Sequence, residues 1–118
     1  MDSATYQQAA ARTLIDRPDA AYTDQELMVV WNALGLAGEA GEVANLIKKA
    51  VFHRHGLDLA QITDELGDVL WYIAALCTTL GLNLATVQEQ NLAKLARRYP
   101  DGYSSAASKK IDILVERT

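Results

Sequence analysis

Leu34-Gly35-Leu36-Ala37-Gly38-Glu39-Ala40-Gly41-Glu42-Val43 consists of small and apolar residues interrupted only by two glutamates three positions apart. Widened to residues 33–47, the segment still holds no other charge. A second stretch, Glu65-Leu66-Gly67-Asp68-Val69-Leu70-Trp71-Tyr72, repeats the arrangement, and Asp68 is the sole charge from residue 66 to residue 77. On an α-helix, i and i+3 share one face across a single turn. Each pair therefore reads as two carboxylates on the same side of an apolar helix. In water such a like-charge pair costs only ~0.2–0.5 kcal/mol. Where water is partly excluded, two unit charges ~4 Å apart repel by about 4 kcal/mol at an effective dielectric of 20. Four acids facing one another need protons or a cation. All-carboxylate ligation, with no His or Cys, suits Mg²⁺, or Mn²⁺ in its place, better than zinc. The competing reading puts these acids on solvated helix faces, the commonest fate of Glu and Asp.

The 118 residues, half of them hydrophobic and only two of them Pro, fit a single domain with a sizeable core. A net charge of −4 and a pI near 5.0 disfavour nucleic acid as a partner, because such binding relies on a basic surface. Cys77 is the one cysteine and cannot form an intrachain disulfide, and Met1-Asp2-Ser3-Ala4 lacks the start of a secretory signal. The expected compartment is the cytoplasm. Residues 69–88 carry no charge, yet Thr78, Thr79, Gly81 and Asn83 break that run, so no membrane span is expected.

The whole pattern is helical. A first helix is predicted over residues 4–16, ended by Arg17-Pro18-Asp19. Thr23-Asp24-Gln25-Glu26 has the form of a capping box, which starts a long second helix running towards His53. Gly35, Gly38 and Gly41 within it allow a bend or the close approach of another backbone or a ligand. His55-Gly56 is the expected stop. Asp58 with Gln61 then caps a third helix over 59–80, and Gly81 closes it. Asn83 caps a fourth over 84–98, followed by a turn at Tyr99-Pro100-Asp101-Gly102. The tail from residue 103 onward is ambiguous between a docked short helix and a frayed end.

On the fourth helix, Asn91, Lys94 and Arg98 recur at i, i+3 and i+7. An amide, an ammonium and a guanidinium on one face make a polyphosphate grip, although basic residues at a helix end also simply complement its dipole. Lys48 and Lys49 close the second helix and lie within reach of the same phosphates. Tyr72 falls on the face of Glu65 and Asp68, where it can face a ligand or serve as a core aromatic.

Taken with Asn91-Leu-Ala-Lys-Leu-Ala-Arg-Arg-Tyr-Pro-Asp-Gly102, the two acidic stretches resemble the MazG-type nucleotide pyrophosphohydrolases. That family's signature is Glu-x-x-Glu followed by Glu-x-x-Asp, met here by Glu39, Glu42, Glu65 and Asp68. The resemblance extends over residues 6–102. It implies an all-α, four-helix-bundle-like hydrolase that cleaves nucleoside triphosphates between the α and β phosphates. It also implies Mg²⁺ held by those four acids, phosphates steadied by Lys94 and Arg98 with Asn91 and Lys49 nearby, and a nucleobase stacked on Tyr72. Some relatives carry a further Glu just before the first metal-binding one, where this chain has Gly38, so no separate general base is assigned.

Two alternatives stay open. One is a phosphoribosyl-ATP pyrophosphatase, although the His expected soon after the Tyr72 segment is missing. The other is a non-catalytic helical module whose acids hold a structural ion or a partner. Four helices this rich in Leu, Val, Ile and Ala should leave an apolar face for a second copy. The family resemblance likewise implies a homodimer or a dimer of dimers.

Overall fold

The structure, a computed structural model, describes residues 1–14 and 21–105. Among these residues it is entirely helical: α1 (Ser3–Ala11), α2 (Asp24–Phe52), α3 (Leu59–Leu80) and α4 (Leu84–Arg98). The predicted tail falls almost wholly outside the described residues, as does the Arg17-Pro18-Asp19 stop.

Capping chemistry fixes most of the boundaries. Thr23 Oγ1 accepts from the Glu26 amide at 3.1 Å while Glu26 Oε1 accepts from the Thr23 amide at 2.9 Å, the reciprocal pair of a capping box. The Asp58 carboxylate accepts from the Ala60 and Gln61 amides, and the Asn83 side chain accepts from those of Ala85 and Thr86. At the end of α3, Gly81 takes a left-handed φ of 70°, and the Leu82 amide returns 2.7 Å to the Cys77 carbonyl.

One end differs from expectation. α1 stops at Ala11 rather than continuing to residue 16. The Thr13 and Leu14 amides bond three residues back, and Thr13 Oγ1 donates to the Ala10 carbonyl, so the last turn tightens and competes with the helix. No residue of α1 is buried, so packing does not hold the helix open any further. α2 ends at Phe52 with His53 as its cap, as predicted, and Gly56 is left-handed at φ 78°. The His53 and His55 amides both return to the Lys49 carbonyl, and Arg54 occupies the left-handed region at φ 54°. A bulky residue there carries a conformational cost of roughly 1–2 kcal/mol.

The long helices α2 and α3 pack against each other as an antiparallel hairpin, the one extensive helix pair among the described residues. Its register is keyed by polar contacts at the end far from the connecting loop. Asn32 Nδ2 donates to Thr79 Oγ1 at 3.3 Å, and Gln25 Nε2 donates to the Thr79 carbonyl at 2.9 Å. Asn32 and Cys77 are the buried residues of the described chain. Large apolar side chains stand in the open: Leu27, Trp31 and Leu34 on α2, Leu66, Leu70 and Trp71 on α3, and Leu92 on α4. At the break between α3 and α4 the axis turns by 109°, which carries α4 away from the hairpin, and no single helix is long and apolar enough to cross a membrane.

Candidate metal centre

Antiparallel pairing of α2 with α3 brings the two acidic stretches face to face. Carboxylate oxygens of Glu39, Glu65 and Asp68 all lie within 4.8 Å of one another. Glu39 and Glu65 are half-buried, and Asp68 is exposed. Glu42, one turn further along α2, is exposed and stands outside this trio, although its charge still acts on Glu65. The i, i+3 spacing places Glu42 on the right face of α2, but the two helices focus on the level of Glu39.

The electrostatics are those of a cluster short of positive charge. The Glu65 carboxyl is pushed up to about 7, first by its hydrogen bond with Glu39, then by desolvation, and then by repulsion from Glu39, Asp68 and Glu42. Every one of these influences raises it, and no cation offsets them. The proton that Glu65 keeps up to about 7 is hydrogen-bonded towards Glu39. A hard dication would take over the role of that proton, and an all-oxygen donor set fits Mg²⁺ or Mn²⁺.

Tyr72 lies one turn beyond Asp68 on α3. Its ring rests on α2 at Gly35 and meets Trp71 edge to face, with centroids 4.9 Å apart. Trp71 lines a groove with Met28, Asn32, Ala74, Ala75, Thr78 and Thr79, and as it is 61% exposed it is no core residue of this chain. Trp31 and Phe52 are likewise exposed, and His53 and His55 contact each other away from the acids.

The basic residues are distributed differently from the acids. On α4, Asn91 and Lys94 line a shallow concavity with Gln90, Ala93 and Arg97. Arg98, also predicted for that face, sets its guanidinium 5.8 Å from the centre of the Tyr99 ring, with a buried Nε that has no hydrogen-bond partner among the described residues. Arg97 was not singled out from the sequence, although its i+3 spacing from Lys94 was visible there. Lys49 is exposed in the last turn of α2, two turns beyond Glu42.

A helical hairpin that pools carboxylates from two facing helices offers an all-oxygen donor set of the kind that holds a hard metal ion. The chain belongs to the MazG nucleotide pyrophosphohydrolase family, whose domain matches residues 31–103 and so takes in all four acids and the whole of α4. It is also similar to the Gene 37 protein of Mycobacterium phage L5, at 41% identity over 101 residues, covering 82% of this chain and 88% of the phage protein. No solved structure gives a significant match.

Proposed function

We propose that this chain hydrolyses canonical or modified nucleoside triphosphates, ribo or deoxy, to the monophosphate and pyrophosphate, as a house-cleaning enzyme of the nucleotide pool. The observation that carries this reading is the convergence of Glu39, Glu65 and Asp68 from two helices onto one point, with the Glu65 carboxyl raised by its acidic neighbours. In the reaction, water bonds to the α phosphorus and the bridge to the β phosphate breaks, so that pyrophosphate leaves with the bonding electrons. Bound Mg²⁺, or Mn²⁺ as a substitute, supplies neutralising charge and makes a water more acidic. Glu39, Glu65 and Asp68 would hold it, with Glu42 one turn further along α2. With Gly38 next to Glu39, the proton of the attacking water passes to one of the clustered carboxylates. Tyr72 flanks the acids on the side assigned to the base.

The phosphate grip of Asn91, Lys94, Arg98 and Lys49 bears on assembly. Asp68 lies twelve residues before the end of α3, and Lys94 ten residues into α4. With a rise of 1.5 Å per residue and the turn between the axes, these two positions are on the order of 20 Å apart within one chain. A second copy that covered the open apolar faces would bring its own α4 to the acids. The reading is therefore a homodimer, or a dimer of dimers, in which Lys94 and Arg98 act across the subunit boundary.

The test is pyrophosphate release from a panel of canonical, deoxy and modified triphosphates and phosphoribosyl-ATP, with Mg²⁺ and with Mn²⁺. Asp68→Asn is expected to abolish turnover while helix content is retained. Full activity in that variant would remove the cluster from the mechanism.

A further inference from the structure

Three glycines recur along α2, and their surroundings separate them. A Cβ at Gly38 or Gly41 would meet nothing within 4 Å, whereas one at Gly35 would fall inside the ring of Tyr72, against Cε1, Cζ and Cδ1. Glycine in a helix interior is disfavoured relative to alanine, so its place at position 35 has a steric reason that the other two lack. With no side chain there, the ring of Tyr72 lies directly on the α2 backbone, and it also meets the ring of Trp71 edge to face.

This contact sits one layer from the acids. Gly35 precedes Glu39 by one helical turn, and Tyr72 follows Asp68 by one turn, so in the antiparallel register the two contacts are stacked. The separation of α2 and α3 at the ring then sets the separation at the carboxylates. We propose that Gly35 and Tyr72 are positioning residues, a spacer that fixes how closely α2 and α3 approach and so sizes the Glu39, Glu65 and Asp68 cluster for a hard dication. The proposal rests on the metal-centred reading above. A methyl group at position 35 must either expel the ring or spread the helices, and spreading by even a fraction of an ångström loosens a cage built on ligand distances near 2 Å.

The test is a double-mutant cycle on the full chain, with Mn²⁺ alone as the probe and no nucleotide present. Gly35→Ala is expected to weaken Mn²⁺ binding, read by electron paramagnetic resonance, at least tenfold and to lower the melting temperature. Tyr72→Ala removes the atoms that clash. On that background, adding Gly35→Ala should weaken Mn²⁺ no further and should raise the melting temperature, as helix propensity alone dictates. Gly38→Ala, with open space around it, should keep wild-type Mn²⁺ affinity. Unchanged Mn²⁺ affinity in Gly35→Ala overturns the proposal, as does an equal loss in both backgrounds. If the wild-type protein binds no Mn²⁺, the metal-centred reading falls instead, and the reversal in melting temperature still decides whether the spacer exists.

Discussion

Trp31 offers a direct measure of what covers the hairpin. It stands between Leu27 and Leu34 in an i, i+4, i+7 stripe on α2 and is 71% exposed. A tryptophan buries about 150–250 Å² when covered, so the exposed part amounts to on the order of 100–180 Å². At ~25 cal/mol/Å² that is about 3–4 kcal/mol per copy, and two copies contribute to a symmetric dimer. Association does not convert area fully into affinity, because ordering and desolvation offset part of it. If only half is realised, Trp31→Ser weakens the dimer by about 3 kcal/mol, roughly a hundredfold in Kd. The fold of each chain should hardly respond, since the side chain touches little within its own subunit and Ser and Trp have similar helix propensities. Sedimentation equilibrium over a wide concentration range measures the shift, and circular dichroism checks that helix content is kept. A wild-type protein that stays monomeric throughout, or a variant whose Kd moves by less than about threefold, would refute the reasoning.

The remaining expectations concern protons, metal and caps. Glu65 titrates near 7 in the folded chain against an ordinary value of 4.5, so between these values the folded state binds more protons than the unfolded one. Metal-free stability is therefore greatest at and below about 4.5 as far as this group is concerned, and falls as pH rises towards 7. Urea melts at a series of pH values with a chelator present would detect that slope. Adding Mg²⁺ should flatten it, and titration calorimetry near pH 6 in buffers of different ionisation enthalpy should register proton release on binding. Thr23→Ala removes half of the capping box at the start of α2 and should cost about 1 kcal/mol, seen as a lower urea midpoint at unchanged slope. Asn32→Ala should cost about 1–2 kcal/mol, from a lost buried hydrogen bond and a small cavity.

Local chemistry was legible wherever a side chain acts on its own backbone. Asp58, Gly81 and Asn83 mark the ends of α3 and α4 at the positions the sequence predicts, because caps depend on neighbours within four residues. Arg54 shows the limit of that reading: Gly56 is left-handed at φ 78°, as its propensity suggests, yet Arg54, which has no such preference, is left-handed as well. The acids were legible as two faces, but spacing along one helix does not state where two helices cross. That is why Glu42 could be assigned to its face and not to its distance from the cluster. Gly35 was visible as a place for close approach without its partner, since Tyr72 is 37 positions away in the sequence. The separation of α4 from the hairpin had no signal at all. A strongly amphipathic helix reads the same whether its apolar side meets its own chain or another.

Asn32 and Thr79 lock the two long helices at the end opposite their connection, residues 53–58, so the alignment of the acids does not depend on that loop. Sliding α3 by one turn would move it about 5.4 Å and break both bonds to Thr79 before it could misalign Glu39 and Asp68. The loop therefore acts as slack. Doubling its length would add only about 0.6 kcal/mol of closure entropy, leaving the chain free to accept inserted segments there while the distance between its acidic helices stays the same.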